Sequence, residues 1–261
     1  MLSMFEAIII GLVEGLTEFL PVSSTGHMLI AESLLNKHYS DAFNVLIQVG
    51  PILAAALVFW KDIVGFFVNW REPATKDYVV KLFAAFFLTG LGGFVAKKCG
   101  LKLPESVLPV ALAAIIGAFV ILFVEYKAKT KTLNNNLSWA VVAAVALGQL
   151  SAAVFPGASR SGMAIMFAIF VGFARPAAVK FSFLVGIPTM IAAGGFQLLS
   201  AIKEGETADL FTSEAIAAYV VATISAFLSV VWLLRFVQRK NFIPFAWYRL
   251  ALGIAILTIS T

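Results

Sequence analysis

The stretch GLVEGLTEFLPVSSTGHMLIAESLL, residues 11–35, decides how the rest of the chain is read. Apolar residues flank Pro21-Val22-Ser23-Ser24-Thr25-Gly26 on both sides, so an apolar helix is broken in its middle by proline, hydroxyls and glycine. Backbone broken at membrane depth is tolerated only where protein buries it or where it lines a wet cavity. Residues 137–173 are broken in the same way by Pro156-Gly157-Ala158-Ser159-Arg160-Ser161-Gly162. Both stretches, 4–34 and 137–173, are therefore predicted to form re-entrant helical hairpins.

Composition supports a membrane setting. Of 261 residues, 61% are hydrophobic and 13% are charged, against roughly 25% charged in a soluble domain. The shortage of charge extends along the whole chain, which excludes a soluble domain on one anchor. Apolar runs at 43–60, 79–96, 107–124 and 215–236 have the length of ordinary crossings. Another, at 181–199, is interrupted by Pro188, and a last one covers 245–259. The prediction is one all-α polytopic membrane domain over 1–261, with about six transmembrane helices plus the two hairpins. Glu6, Glu14 and Glu18 stand in the first twenty residues without a basic leader, so no cleaved signal peptide is expected. The single Cys99 cannot form an internal disulfide. A net charge of +5 reflects loop lysines rather than nucleic-acid binding.

The halves resemble one another. At one constant offset Glu14, Pro21, Ser24 and Met28 align with Gln149, Pro156, Ser159 and Met163. One residue further, Val49-Gly50 aligns with Val185-Gly186, each pair close to a proline. Interrupted helices at matching positions are the pattern of repeats with midplane sites. Pseudo-repeats of about 1–130 and 131–261 are predicted. Three crossings between the hairpins would bring the second in from the opposite face, giving an inverted-topology repeat whose tips meet. Thirteen Lys and Arg then fall on one side, among them Lys61, Lys81, Lys127, Arg175 and Arg249. Only Lys37, Lys97, Lys98, Lys102 and Lys203 fall on the other, with Glu204, Glu206, Asp209 and Glu214. Basic loops favour the cytoplasm, so both termini and the mouth of the first hairpin are expected outside.

Ionisable groups inside apolar segments are costly and mark function. Glu14 and Glu18 are four apart, so one helical face presents both carboxylates. A protonated glutamate on a carbonyl could satisfy one of them. Two beside a polar break call for a divalent metal or a nearby arginine. Ser23-Ser24-Thr25-Gly26-His27 sets three hydroxyls and an imidazole around a glycine that lets amides converge on a phosphate. The plainer reading is a helix cap followed by a core histidine. At the second break, the planar fork of Arg160 matches phosphate oxygens. It stands between Ser159 and Ser161, just after Gly157, where a new helix would favour anions. It could equally neutralise Glu14 or Glu18. Trp60, Trp70, Trp139 and Trp247 fall at segment ends and read as interfacial anchors. Gln48 and Gln149 read as cavity lining or helix glue.

At these residues the chain resembles the undecaprenyl-diphosphate phosphatase family associated with bacitracin resistance. Residues 14–27, EGLTEFLPVSSTGH, are similar to its first signature, and 156–162, PGASRSG, to its second. Residues 181–184 and 242–249 add to a likeness that runs end to end. Met163-Ala164 stands where the family usually has a threonine, which removes one hydroxyl from the expected cradle. The resemblance implies a phosphatase of the bacterial inner membrane that recycles the C55 carrier lipid for cell-wall synthesis. It also implies an inverted repeat, a site open to the periplasmic face and a divalent cation, Mg2+ or Ca2+, for which Glu14 and Glu18 are the candidate ligands. It makes Glu18, His27 and Arg160 the main catalytic residues, with Glu14, Ser24, Ser159 and Ser161 in support. Ser23, Thr25, Gly26 and Gly157 complete the expected phosphate cradle.

The expected partners are a polyprenyl diphosphate and bilayer lipid, with a homodimer left open. In the expected mechanism His27, oriented by Glu18, attacks the terminal phosphorus or activates Ser24 to do so. The acid phosphatase superfamily needs a second histidine, and His38 is the only other one. The remaining rival is a transporter or flippase for a phosphorylated lipid.

Overall fold

The computed structural model describes residues 3–37, 39–99, 107–205 and 210–259. His38, Lys102, Glu206 and Asp209 lie outside them, as do the side chains of Asp41 and Lys97. The described chain is all α: α1 Met4–Thr17, α2 Ser24–Leu35, α3 Asp41–Val58, α4 Trp60–Val68, α5 Pro73–Lys98 and α6 Val107–Ala128 precede α7 Trp139–Val154, α8 Arg160–Phe170, α9 Arg175–Glu204, α10 Ser213–Phe236 and α11 Ile243–Ile259. α5, α6, α9 and α10 are each long and apolar enough to cross a membrane, and α3 with α4 passes the same test as a pair bent by 61°. The chain is thus a multi-pass membrane protein. α11, with 17 residues, is among the shorter apolar helices.

Two expectations about continuity need correction. Pro188 does not interrupt its helix: α9 runs unbroken for 30 residues. Proline removes one amide, and membrane helices absorb that loss through neighbouring groups; next to it the Thr189 hydroxyl donates to the Val185 carbonyl at 2.8 Å. The crossing expected over 43–60 ends instead at Val58, and α4 leaves it at a sharp bend. α4 buries no residue, and Phe67, Val68 and Trp70 stand exposed there.

Both polar breaks become tight turns between short helices. Ser23 (φ 74°) and Ser159 (φ 68°) hold left-handed backbone that few non-glycine residues adopt. Each hydroxyl accepts from the amide three residues on, Gly26 or Gly162, at 3.2 Å. These caps begin α2 at Ser24 and α8 at Arg160. The polar run Ser24-Thr25-Gly26-His27 is therefore the first turn of a helix rather than loop.

Packing partners also correspond between the halves. α1 and α3 pack on α10 as α7 and α9 pack on α5, and α2 meets α11 as α8 meets α6. Where α1 meets α10, Gly11 and Gly15 face the Ala218 and Ala222 carbonyls so closely that a Cβ would overlap them, the close backbone approach that small residues permit. The main core gathers Ile165, Met166, Phe181, Phe183, Leu233 and Phe242 around α8 and α9. At one end of the bundle the buried Glu125 of α6 accepts from the Arg175 guanidinium and from the Phe242 amide at 2.9 Å, joining α6, α9 and α11.

Candidate active site

The turns meet each other. The Ser161 hydroxyl donates to the Leu20 carbonyl at 3.1 Å, and a Cβ on Gly162 would lie 3.2 Å from Pro21. Between them stands Glu18, whose carboxylate is divided between two partners. Oε1 accepts from Arg160 Nη2 at 2.6 Å, and Oε2 accepts from the Ser24 hydroxyl at 2.6 Å. The Glu18 side chain is 6% exposed and that of Arg160 26%, so the pair is desolvated on the carboxylate side and open on the guanidinium side. Charge-assisted bonds of this length are the strong kind. A hydroxyl that donates to a carboxylate, as Ser24 does here, has the arrangement that a hydroxyl nucleophile with a base would need.

A cavity of about 240 Å³ opens on this cluster, lined by Glu18, Ser23, Ser24, Thr25, Gly157, Ser159 and Arg160. The N-terminal turns of α2 and α8 thus border one space, where helix dipoles and a guanidinium favour an anion. Gly157 is needed in its turn: φ is +91°, and a Cβ would come within 2.6 Å of the Val110 carbonyl. Gly26 lies inside α2, where a Cβ would meet Ile256 at 3.0 Å. Ser161 bonds to the opposite turn and does not border this space.

His27 is not brought to Glu18. Its Nδ1 is 2.7 Å from the Ser23 carbonyl and its Nε2 is 2.7 Å from the Tyr248 hydroxyl of α11. With Nδ1 donating to the carbonyl, Nε2 accepts from the tyrosine, so the imidazole ties the first turn to α11. The orientation of His27 by Glu18 expected from sequence is replaced by this pairing.

The two carboxylates are also separated in use. Glu14 borders a neighbouring cavity of about 320 Å³ with Ser24, Thr25, Glu32, Asn44 and Gln48. The Glu14 carboxylate has no hydrogen-bond donor among the described residues, and Asn44 Oδ1 is buried without one. Carboxylate, amide and hydroxyl oxygens are the donors that Mg2+ or Ca2+ takes. No group of three or more His, Cys, Asp or Glu suited to a metal occurs among the described residues. A hard cation beside Glu14 would therefore rely on amide, hydroxyl and substrate oxygens, and Glu18 has both oxygens committed elsewhere.

Two participants, Arg249 and Tyr248, carry little signal in the sequence. Arg249, placed on the inner face by loop charge, is instead 1% exposed. It donates to the carbonyls of Pro21 (3.4 Å), Gly157 (3.1 Å), Ala113 (3.1 Å) and Ala114 (3.2 Å), clamping both turns to α6. Tyr248 follows Trp247 and reads as part of an aromatic belt. Gln149, read from sequence as cavity lining or helix glue, is buried and lines the cavity. Ala164, where the resemblance expects a hydroxyl, is buried on α8.

The profile of the family described as bacitracin resistance protein BacA matches residues 7–255. A protein of Rhizobium etli (strain CIAT 652) named undecaprenyl-diphosphatase is 44% identical over 257 residues, covering 98% of this chain and 97% of its own. Proteins of the same name from Xylella fastidiosa (strain Temecula1) and Xanthomonas campestris pv. campestris (strain 8004) are 44% and 43% identical, covering 99% and 98% of both chains. Both signatures lie within the matched span, their turns meet at one polar cavity, and the likeness covers whole chains. The chain belongs to the BacA family of bacitracin resistance proteins.

Proposed function

We propose that Ser24, activated by Glu18, is the nucleophile with which this chain hydrolyses undecaprenyl diphosphate to undecaprenyl phosphate and inorganic phosphate. The activity follows from relatives named for it that match nearly the whole chain. The nucleophile rests on one observation, the 2.6 Å bond from the Ser24 hydroxyl to a carboxylate that also holds Arg160. Glu18 takes the Ser24 proton as Oγ attacks the terminal phosphorus, and the bridging P–O bond breaks. Glu18 then returns the proton to the departing lipid phosphate, leaving phosphoserine. The guanidinium of Arg160 and the first turns of α2 and α8 face the charge that builds on the phosphoryl oxygens. A divalent cation held beside Glu14 would neutralise further phosphate charge. His27 acts at one remove, by holding the Ser23 carbonyl.

The prenyl chain lies in the bilayer against apolar helix faces, and the protein sits in the bacterial inner membrane with its site open to the periplasm. The loop-charge asymmetry supports that orientation. The inverted arrangement of the two halves and a divalent cation belong to the same proposal. Nothing in the site favours a flippase that does not cleave its lipid.

The test uses detergent-purified protein and a C55 prenyl diphosphate. Phosphate release lost on chelation and in Ser24→Ala and Arg160→Ala is the expected result. A covalent phosphate labile to alkali supports Ser24. One stable to alkali and labile to acid returns the role to His27.

A further inference from the structure

Behind the Glu18–Arg160 pair lies a second, much smaller chamber, walled by Glu18, Gln149, Arg160, Ser182 and the apolar side chains of Phe19 and Phe183. The volume open to a water centre is about 10 Å³, close to the minimum that one water needs. Three polar atoms on or beside this wall have no hydrogen-bond partner among the described residues: Gln149 Nε2, Gln149 Oε1 and Ser182 Oγ. Gln149 is 1% exposed and Ser182 3%. Burying a whole carboxamide and a hydroxyl without partners is costly, and buried polar groups in folded proteins are nearly always paired. A chamber of this size, lined by polar atoms of this kind, is built for one water.

Its position gives the water a use. Gln149 also lines the larger cavity, with Ser24, Ser159 and Arg160. Its amide therefore stands in the partition between the space where phosphate binds and the space where a water fits. Glu18, the base for Ser24, borders both spaces. A carboxamide supplies an acceptor for a water proton and a donor for a phosphoryl oxygen at the same time. Those are the two contacts that hold a water in line with phosphorus.

We propose that Gln149, with Ser182, is the positioning residue for the water that hydrolyses the phosphoserine, an inference that rests on Ser24 as nucleophile. In this second step the water oxygen bonds to phosphorus while Glu18 takes its proton. The bond from phosphorus to Ser24 Oγ breaks, the serine oxygen recovers the proton from Glu18, and hydrogen phosphate leaves. No other reactant is required.

The experiment is rapid-quench kinetics on detergent-purified protein, with a C55 prenyl diphosphate labelled in its terminal phosphate. Lipid monophosphate, protein-bound phosphate and free phosphate are followed together. In Gln149→Leu, which keeps the bulk and removes both polar atoms, first-turnover cleavage should slow by at most roughly tenfold, from the lost donor to a phosphoryl oxygen. Release of free phosphate should slow about 100-fold, so that alkali-labile phosphate accumulates on the protein. Ser182→Ala, a smaller change, should slow the same step roughly tenfold. Equal slowing of both steps in the two variants, or no change in either, overturns the assignment. If wild type never carries alkali-labile phosphate and Ser24→Ala still cleaves, the nucleophile is wrong. That outcome is visible without either chamber variant.

Discussion

Arg249 is the residue whose loss should be felt at both turns together, and Gly117 offers a way to show it. Arg249→Ala removes the donor to the Pro21 and Gly157 carbonyls, which accept no other hydrogen bond among the described residues. The carbonyls of Ala113 and Ala114 lie inside α6, whose own amides also serve them. Leaving two buried acceptors unsatisfied costs about 2–6 kcal/mol. Relief from burying an unpaired cation offsets part of that, so a net loss of about 2–4 kcal/mol is expected. The unfolding midpoint in detergent should fall by roughly 5–15 °C. A Cβ on Gly117 would overlap Arg249 Nη2 and lie 2.7 Å from Cζ. The guanidinium cannot swing aside while four carbonyls hold it, so Gly117→Ala should cost about 1–3 kcal/mol, although alanine is the better helix former by about 1 kcal/mol. Without the guanidinium the clash is gone and only the helix preference remains, so Gly117→Ala should stabilise the Arg249→Ala protein. Four proteins suffice, measured by loss of helical circular dichroism on heating, with turnover followed in parallel. A coupling of about 2–4 kcal/mol is expected. Strictly additive midpoints, or an Arg249→Ala protein as stable as wild type, would show that the guanidinium does not hold the turns.

Three further outcomes follow from the geometry. Glu14→Gln should raise the cation concentration needed for half-maximal phosphate release, after chelation and titration, by tenfold or more, and leave turnover at saturation within about threefold. Gly157→Ala, which combines φ +91° with the Val110 carbonyl, should lower stability by about 1–3 kcal/mol in thermal unfolding. His27→Ala should slow turnover roughly tenfold through the lost hold on Ser23, and Tyr248→Phe should reproduce much of that effect. If His27→Ala is as inactive as Ser24→Ala in the same assay, the imidazole does chemistry itself.

The meeting of two broken segments was legible because proline, glycine and hydroxyls inside apolar runs have few explanations in a bilayer. That Arg160 could meet a carboxylate is legible for the same reason, but the sequence leaves Glu14 and Glu18 as alternatives, and the structure takes Glu18. Register was harder to read. Similarity aligns Ser24 with Ser159, whereas the matching caps are Ser23 and Ser159, because local backbone rather than residue identity decides which hydroxyl turns inward. Arg249 follows Trp247 and Tyr248 near the start of a helix and reads as one more basic residue of the inner face. Only the tertiary placement of four carbonyls reveals where its guanidinium goes. Glu125 follows an apolar run and reads as the polar end of a crossing, because its partners, Arg175 and the Phe242 amide, are remote in sequence. Gln149 is ambiguous on any scale of hydrophobicity, since an amide can bridge helices or serve a cavity. Proximity in sequence and the family likeness together point His27 at Glu18, and a tyrosine more than two hundred residues away holds its ring instead.

The bond between Glu18 and Arg160 closes a loop of 142 residues, and that separation bears on how the protein is made. At a synthesis rate of about 5–20 residues per second, roughly 7–28 s pass between the appearance of the two partners. Throughout that interval the first hairpin carries the Glu18 carboxylate without the Arg160 guanidinium that pairs with it, and Arg249 emerges later still. Ionised groups without partners are expelled from hydrocarbon at a cost of a few kcal/mol each, so the hairpin cannot settle at its final depth when it leaves the ribosome. The long apolar helices must be placed first, while the hairpin waits at the headgroups or in the care of the insertion machinery. Although it is made early, the segment carrying Glu18 and Ser24 is then among the last parts to reach its seat.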